Sequence, residues 1–148
     1  MDMLKIDGDS KDYVPNYEFE VEFGLVLKVS FSSISNLSSE CEYERIADGG
    51  NSDRMFFYQK PNRKMQTTVF KKGVTSDRKD TMLTWLVQGL MISDIMIFAK
   101  KEGVIKKIFY IEQGILKKIS YSDLDAMGQE ILIKSMEIEH TGVVEIPV

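Results

Sequence analysis

The sequence predicts an α+β protein that is mainly β, a β-sandwich or barrel carrying one inserted helix. Three observations lead there. Apolar and polar residues alternate with period two over several short segments, most plainly where Tyr17, Phe19, Val21 and Phe23 interleave with Glu18, Glu20 and Glu22. One segment alone, through Met82, Trp85, Leu86, Gly89 and Leu90, has the i, i+3, i+4, i+7, i+8 stripe of a helix with one buried face. Near the end, Ile131 and Ile133 share a phase, and Met136 and Ile138 then carry the apolar pattern on in the other. Such a slip is what a β-bulge writes into a strand.

Taken in order, residues 1–14 are polar and without period, so a flexible arm is expected, leaving 15–148 as one domain. Tyr17–Phe23 is the first strand, and Gly24 turns the chain into a second, Leu25–Ser32, paired with it. The serine-rich stretch 32–39 is a short connection. Glu40–Ile46 is a third strand with Glu40, Glu42 and Glu44 on one side. Asp48, Gly49, Gly50 and Asn51 form a loop signal, since glycine tolerates positive φ. Pro61 interrupts the stretch beyond Asn51, so 47–63 reads as a long irregular excursion, and such excursions are commonly functional. Lys64–Lys72 is a fourth strand ended by Gly73. Thr75, Ser76 and Asp77 cap the helix, with Asp77 and Asp80 where its dipole favours acid. Asp94–Lys100 and Val104–Glu112 form a hairpin through Lys101, Glu102 and Gly103. Ile115–Ser120 reads as a further strand and Glu130–Thr141 as the last.

Composition narrows the function. With 148 residues, 43% apolar and 28% charged, the chain can bury a proper core as a single domain. A net charge of −4 argues against nucleic-acid binding as the main task. Apolar runs are too short to span a bilayer, and the N-terminus lacks the order of a signal peptide, so no stable membrane binding is expected. The single cysteine, Cys41, has no internal partner, which fits folding in the cytoplasm.

Parts for catalysis are few. His140 is the only histidine, and with Glu137 and Glu139 as neighbours it makes a thin case for a metal or an enzyme site. A strand-end histidine is more often a packing or hydrogen-bonding group. Gly49 and Gly50 lack the setting and the Gly-Lys-Ser/Thr ending of a phosphate loop. The expectation is no catalysis, no metal and no cofactor. A monomeric barrel enclosing a small ligand is the alternative that the same alternation allows.

Charge segregation stands out. Residues 17–48 hold the acids Glu18, Glu20, Glu22, Glu40, Glu42, Glu44 and Asp48 against Lys28 and Arg45. Residues 54–79 hold Arg54, Lys60, Arg63, Lys64, Lys71, Lys72, Arg78 and Lys79 against Asp77 alone. Either these blocks pair inside one molecule, or a basic surface of one copy meets an acidic surface of the next, a head-to-tail contact that makes rings or filaments.

Several segments, read in order, resemble the tail tube family of contractile phages and related injection systems. They are Tyr17–Val21 followed by Phe31–Leu37; Glu40–Gly50, similar to a Glu-x-Glu strand ending in Gly-Gly; and Lys60-Pro61 at a family turn. Thr67–Asp77 is similar to the family's Leu-Lys-Arg-Gly-Val-Thr-x-Asp and precedes the helix with Trp85. The last is the Asp123–Gly142 segment with its Glu-His-Thr-Gly exit.

The resemblance covers roughly residues 15–142. It implies two packed antiparallel sheets with a flanking helix, and six copies joined into a ring around a lumen. It further implies rings stacked into the inner tube that a contracting sheath drives through a target envelope. Through Gly49, Gly50 and Pro61 the 47–63 excursion would reach across subunit contacts. The charged residues Glu40, Glu42, Glu44, Arg54, Lys60, Arg63, Lys64, Lys71 and Lys72 would supply the interface. Implied partners are further copies of the chain, sheath, baseplate, spike and tube-terminating proteins. DNA or protein cargo would pass without sequence-specific contact. Assembly would take place in the producer's cytoplasm, for use in a virion tail or an extracellular particle.

Overall fold

A computed structural model describes residues 17–48, 51–128 and 131–148. The arm expected at 1–14, and Gly49 and Gly50, lie outside the described residues. The elements in chain order are β1 (Glu18–Phe23), β2 (Leu27–Phe31), β3 (Ser33–Ser35), β4 (Cys41–Asp48), β5 (Asn51–Arg63), β6 (Gln66–Gly73), α1 (Arg78–Leu83), β7 (Met91–Lys101), β8 (Val104–Tyr121), β9 (Ile133–His140) and β10 (Val144–Ile146).

The mainly β architecture with one helix is as expected, but its sheets are arranged differently. Eight strands form one antiparallel sheet in the order β2-β1-β7-β8-β9-β6-β3, with β10 added beside β8, while β4 and β5 form a separate two-stranded sheet. The ends of the long order, β2 and β3, are separated in the chain only by Ser32. Consecutive Cα atoms are about 3.8 Å apart, so the two edges must meet and the sheet rolls into a barrel. Ser32 fastens the seam by donating both its N–H and its hydroxyl to the Lys71 carbonyl at 2.9 Å. Behind the seam Phe23, Phe31 and Phe70 stack edge-on with centroids 5.5 to 6.0 Å apart.

The alternation of β1 does what its sequence says. Val21 and Phe23 are buried, and Val21 lies opposite both Val29 on β2 and Ile97 on β7. The hairpin β7–β8 also forms as read. Glu102 and Gly103 both take positive φ between the paired Lys101 and Val104, the geometry of a type I′ turn.

Four expectations are corrected. The 47–63 excursion is no loop: β5 runs from Asn51 to Arg63 and pairs antiparallel with β4. Its Met55-Phe56-Phe57-Tyr58 run favours a strand, and Pro61 is accommodated at an irregularity. There, one step of pairing spans two residues of β4 and four of β5.

The connection 32–39 contains the short strand β3. Ile115–Ser120 is no separate strand but the second half of β8, which passes through Gly114 without a break.

The helix stops at Leu83, so the stripe to Leu90 does not form. Leu83 is its buried residue, Met82 and Leu86 pack only partly, and Trp85 is 72% exposed. Beyond the helix, Gly89 donates to the Leu116 carbonyl and Leu116 donates to that of Leu90. Pairing with β8 thus takes backbone groups that a longer helix would have used.

Candidate assembly surface

The residues expected at an interface fall into three places. Most lie on or beside the β4–β5 ribbon: Glu42 and Glu44 on β4, and Arg54, Lys60, Pro61 and Arg63 on β5. Arg63 is opposite Cys41 and Glu44 is opposite Tyr58. Glu40 and Lys64 stand at the foot of the ribbon. There the Lys64 N–H donates to the Glu40 carbonyl at 3.2 Å and the side chains meet at 3.3 Å. Gln66 donates to the other Glu40 oxygen at 3.3 Å. Lys71 is apart from these, exposed on β6 opposite Ser33 and Ser135. Lys72 points into the barrel and bonds Asp80 of α1.

Glu20, in the acid row of β1, finds bases within its own sheet. Glu20 accepts from Lys100 at 2.8 Å and lies 3.3 Å from Lys28. The Lys100 bond outweighs the effect of burial, and with Lys28 it holds the Glu20 carboxyl below its usual range. Of the two charge blocks, the Glu40–Lys64 pair joins acid to base within one molecule, whereas Glu20 is paired by Lys28 and Lys100 from outside the basic block.

His140 is fully buried and hydrogen-bonded. Gly142 N–H donates to its Nδ1 at 3.0 Å, and its Nε2 lies 2.6 Å from Thr68 Oγ1. Along β9 the inner face carries Lys134, Met136, Ile138 and His140, whereas Glu137 and Glu139 lie on the other face. The one histidine and its neighbouring glutamates therefore cannot converge on a substrate. Among the described residues no three of His, Cys, Asp and Glu gather as a metal site would need. No helix there is long and apolar enough to cross a membrane. Buried Val21, Val29, Phe70, Ile95, Ile97, Ile111, Leu116 and Ile138 fill the barrel, so its interior is core rather than a ligand chamber.

The geometry is thus that of a packed barrel with an added ribbon, and the comparisons agree with it. The model of the T4-like virus tail tube protein gp19 family matches residues 15–144. The chain belongs to that tail tube family. It is accordingly a structural tail component of the kind found in phage tails and contractile injection systems.

Solved structures share the fold. A chain of the anti-feeding prophage cap, described as a tube-terminating cap, is similar with a TM-score of 0.70 and 21% identity, over 91% of each chain. A chain of the PVC sheath–tube complex, an extracellular contractile injection system in its extended state, gives 0.71 and 18%, over 100% and 99%. One from the sheath/tube terminator of the same system gives 0.66 and 18%, over 90% and 96%. No curated protein sequence matches the chain significantly.

Proposed function

We propose that six copies of this chain close into a ring and that rings stack into the inner tube of a contractile tail or injection particle. The tube is the conduit through which DNA or protein cargo passes when the sheath contracts. The observation that carries the reading beyond family membership is the ribbon. Strands β4 and β5 pair only with each other among the described residues, whereas the other strands share one sheet. A two-stranded antiparallel ribbon is at best marginally stable in water, and its open backbone edges are ready to pair. In a ring or a stack those edges and the ribbon's charges meet a neighbouring copy, which accounts for a long ribbon on a closed barrel. The structures of similar fold belong to a sheath–tube complex, a tube terminator and a cap. Sheath, terminator and baseplate or spike proteins are accordingly the partners proposed here. Assembly in the producer's cytoplasm precedes export or release of the particle.

Negative-stain electron microscopy of the purified chain across a concentration series tests this reading. Six-fold rings or hollow tubes are the expected result. Compact monomers at every concentration, persisting after baseplate proteins are added, would overturn it.

A further inference from the structure

Beneath α1 the inside of the barrel changes character. On its inner face one cross-strand row runs Phe70–Met136–Ile119, and the next, two residues on, runs Lys72–Lys134–Tyr121. The first row is core, with Phe70 and Met136 fully buried. The second sets two lysines directly opposite each other, and Lys134 is only 5% exposed. Like charges in that relation repel, and the Lys134 ammonium keeps its contact with solvent while the rest of its side chain is buried.

Lys72 has its counter-charge in Asp80, which the Thr75 N–H and hydroxyl also hold at 2.7 Å each. Lys134 has the face of the Tyr121 ring, with its Nζ 5.7 Å from the centroid. Among the described residues no carboxylate or hydrogen-bond acceptor reaches that nitrogen. A half-exposed tyrosine ring attracts an ammonium only weakly and does not neutralise it. Lys72, Lys134, Tyr121, Thr81 and Thr84 line a cavity of about 160 Å³ that opens to solvent. Two ammonium groups and one carboxylate therefore share a mouth with room for a second acid.

We propose that this mouth is a carboxylate-binding site, with the Lys134 ammonium as the group that receives the ligand. The carboxylate belongs either to an acidic side chain of another copy or to a small free acid, and the site itself does not depend on the tube reading.

Thermal unfolding of the unassembled, monomeric fraction tests the proposal. It is measured in sodium acetate and in sodium propionate against sodium chloride of equal ionic strength. The melting temperature of the natural chain is expected to rise by about 2–4 °C toward saturation and that of Lys134→Met to stay level. Lys134→Gln should behave as Lys134→Met does, and it carries the comparison if the methionine variant fails to fold. An equal rise in the natural chain and the folded variants, or no rise in the natural chain, would overturn the site. Where the rise depends on Lys134, imaging of assembly identifies the source of the carboxylate. Polymer lost in Lys134→Gln and weakened by acetate in the natural chain marks an acidic side chain of another copy. Polymer unchanged in both marks a free carboxylate.

Discussion

Thr68 and His140, on adjacent strands β6 and β9, join through a 2.6 Å contact between a hydroxyl and an imidazole nitrogen inside the barrel. Because Gly142 N–H donates to Nδ1, the ring proton resides on Nε2 and is donated to Thr68 Oγ1. Thr68 Oγ1 in turn donates its hydroxyl hydrogen bond to the Asn36 carbonyl at 3.2 Å. Burial pushes the His140 imidazole below its ordinary 6.5, so the folded chain holds it neutral. Its unfolded state then binds the proton more readily. Stability from this source is complete above pH 6.5 and falls as pH drops from there toward the folded pKa. Denaturant unfolding between pH 7.5 and 5 should show that decline, and His140→Gln should flatten it. Thr68→Val, which leaves the ring N–H unpaired, should cost about 1–3 kcal/mol.

Lys72 and Asp80 tie β6 to α1 with side chains that are 12% and 8% exposed. Burial raises the Asp80 carboxyl, but bonds from Lys72 and from the Thr75 hydroxyl and N–H together outweigh it and leave the group below its ordinary 3.8. The pair's contribution is therefore present above pH 3.8 and lost as pH falls through the folded value. Asp80→Asn removes the counter-charge of an ammonium that lines a solvent-open cavity and should cost about 1–3 kcal/mol at neutral pH. The double variant Asp80→Asn/Lys72→Met should lose clearly less than the two single losses summed. Equal additivity in a double-mutant cycle would show that the two side chains do not act as a pair.

Gly114 lets β8 continue where a side chain could not fit. A Cβ there would lie 2.5 Å from Ile138 Cγ2 and 3.3 Å from the Glu139 carbonyl. Ile138 is fully buried and branched, so it has nowhere to move. Gly114→Ala should destabilise by about 1–3 kcal/mol in urea titration. Gly103→Ala, at φ +79 with open space around it, meets only the backbone penalty of a left-handed turn and should cost about 1 kcal/mol.

That glycine also shows where the sequence stops being legible. Alternation suffices for β1, because Val21 and Phe23 face one core and the glutamates face outward. The positive φ values of Glu102 and Gly103 are equally local, so the β7–β8 turn can be read from its residues. What a residue meets on a distant strand cannot. Gly114 reads as punctuation, yet it is there because Ile138 is near. The apolar slip near Ile131 suggests a bulge in the last strand. Ile131 actually lies outside β9, and the bulge falls on β8, where Leu116 faces Ile138 and Lys118 faces Glu137. Lys134 is hidden in the sequence for the same reason: a lysine at an inward position looks like an outward one unless its strand's phase is known. Of the candidate surface, the grouping of Glu40, Glu42, Glu44, Arg54, Lys60, Arg63 and Lys64 around one ribbon follows the sequence order. Lys72 does not belong with them, because its partner is Asp80 of α1.

The ribbon charges allow a test that separates pairing within a chain from pairing between copies. Glu40 and Lys64 already meet within the chain, but both are about half exposed, so their link is worth only about 0.2–1 kcal/mol. Reversing Arg54 and Lys60 to Glu should leave the melting temperature nearly unchanged and abolish polymer seen by electron microscopy. Reversing Glu42 and Glu44 to Lys should do the same. If acidic and basic ribbons of different copies meet head to tail, an equimolar mixture of the two variants restores every contact, since each altered face meets the other's complement. The mixture should therefore form alternating polymer, and high salt should weaken natural and mixed polymer alike. Charges that pair only inside one chain predict the reverse: mixing rescues nothing, and only one chain carrying all four reversals recovers. Alternating rescue would make this ribbon the joint between subunits.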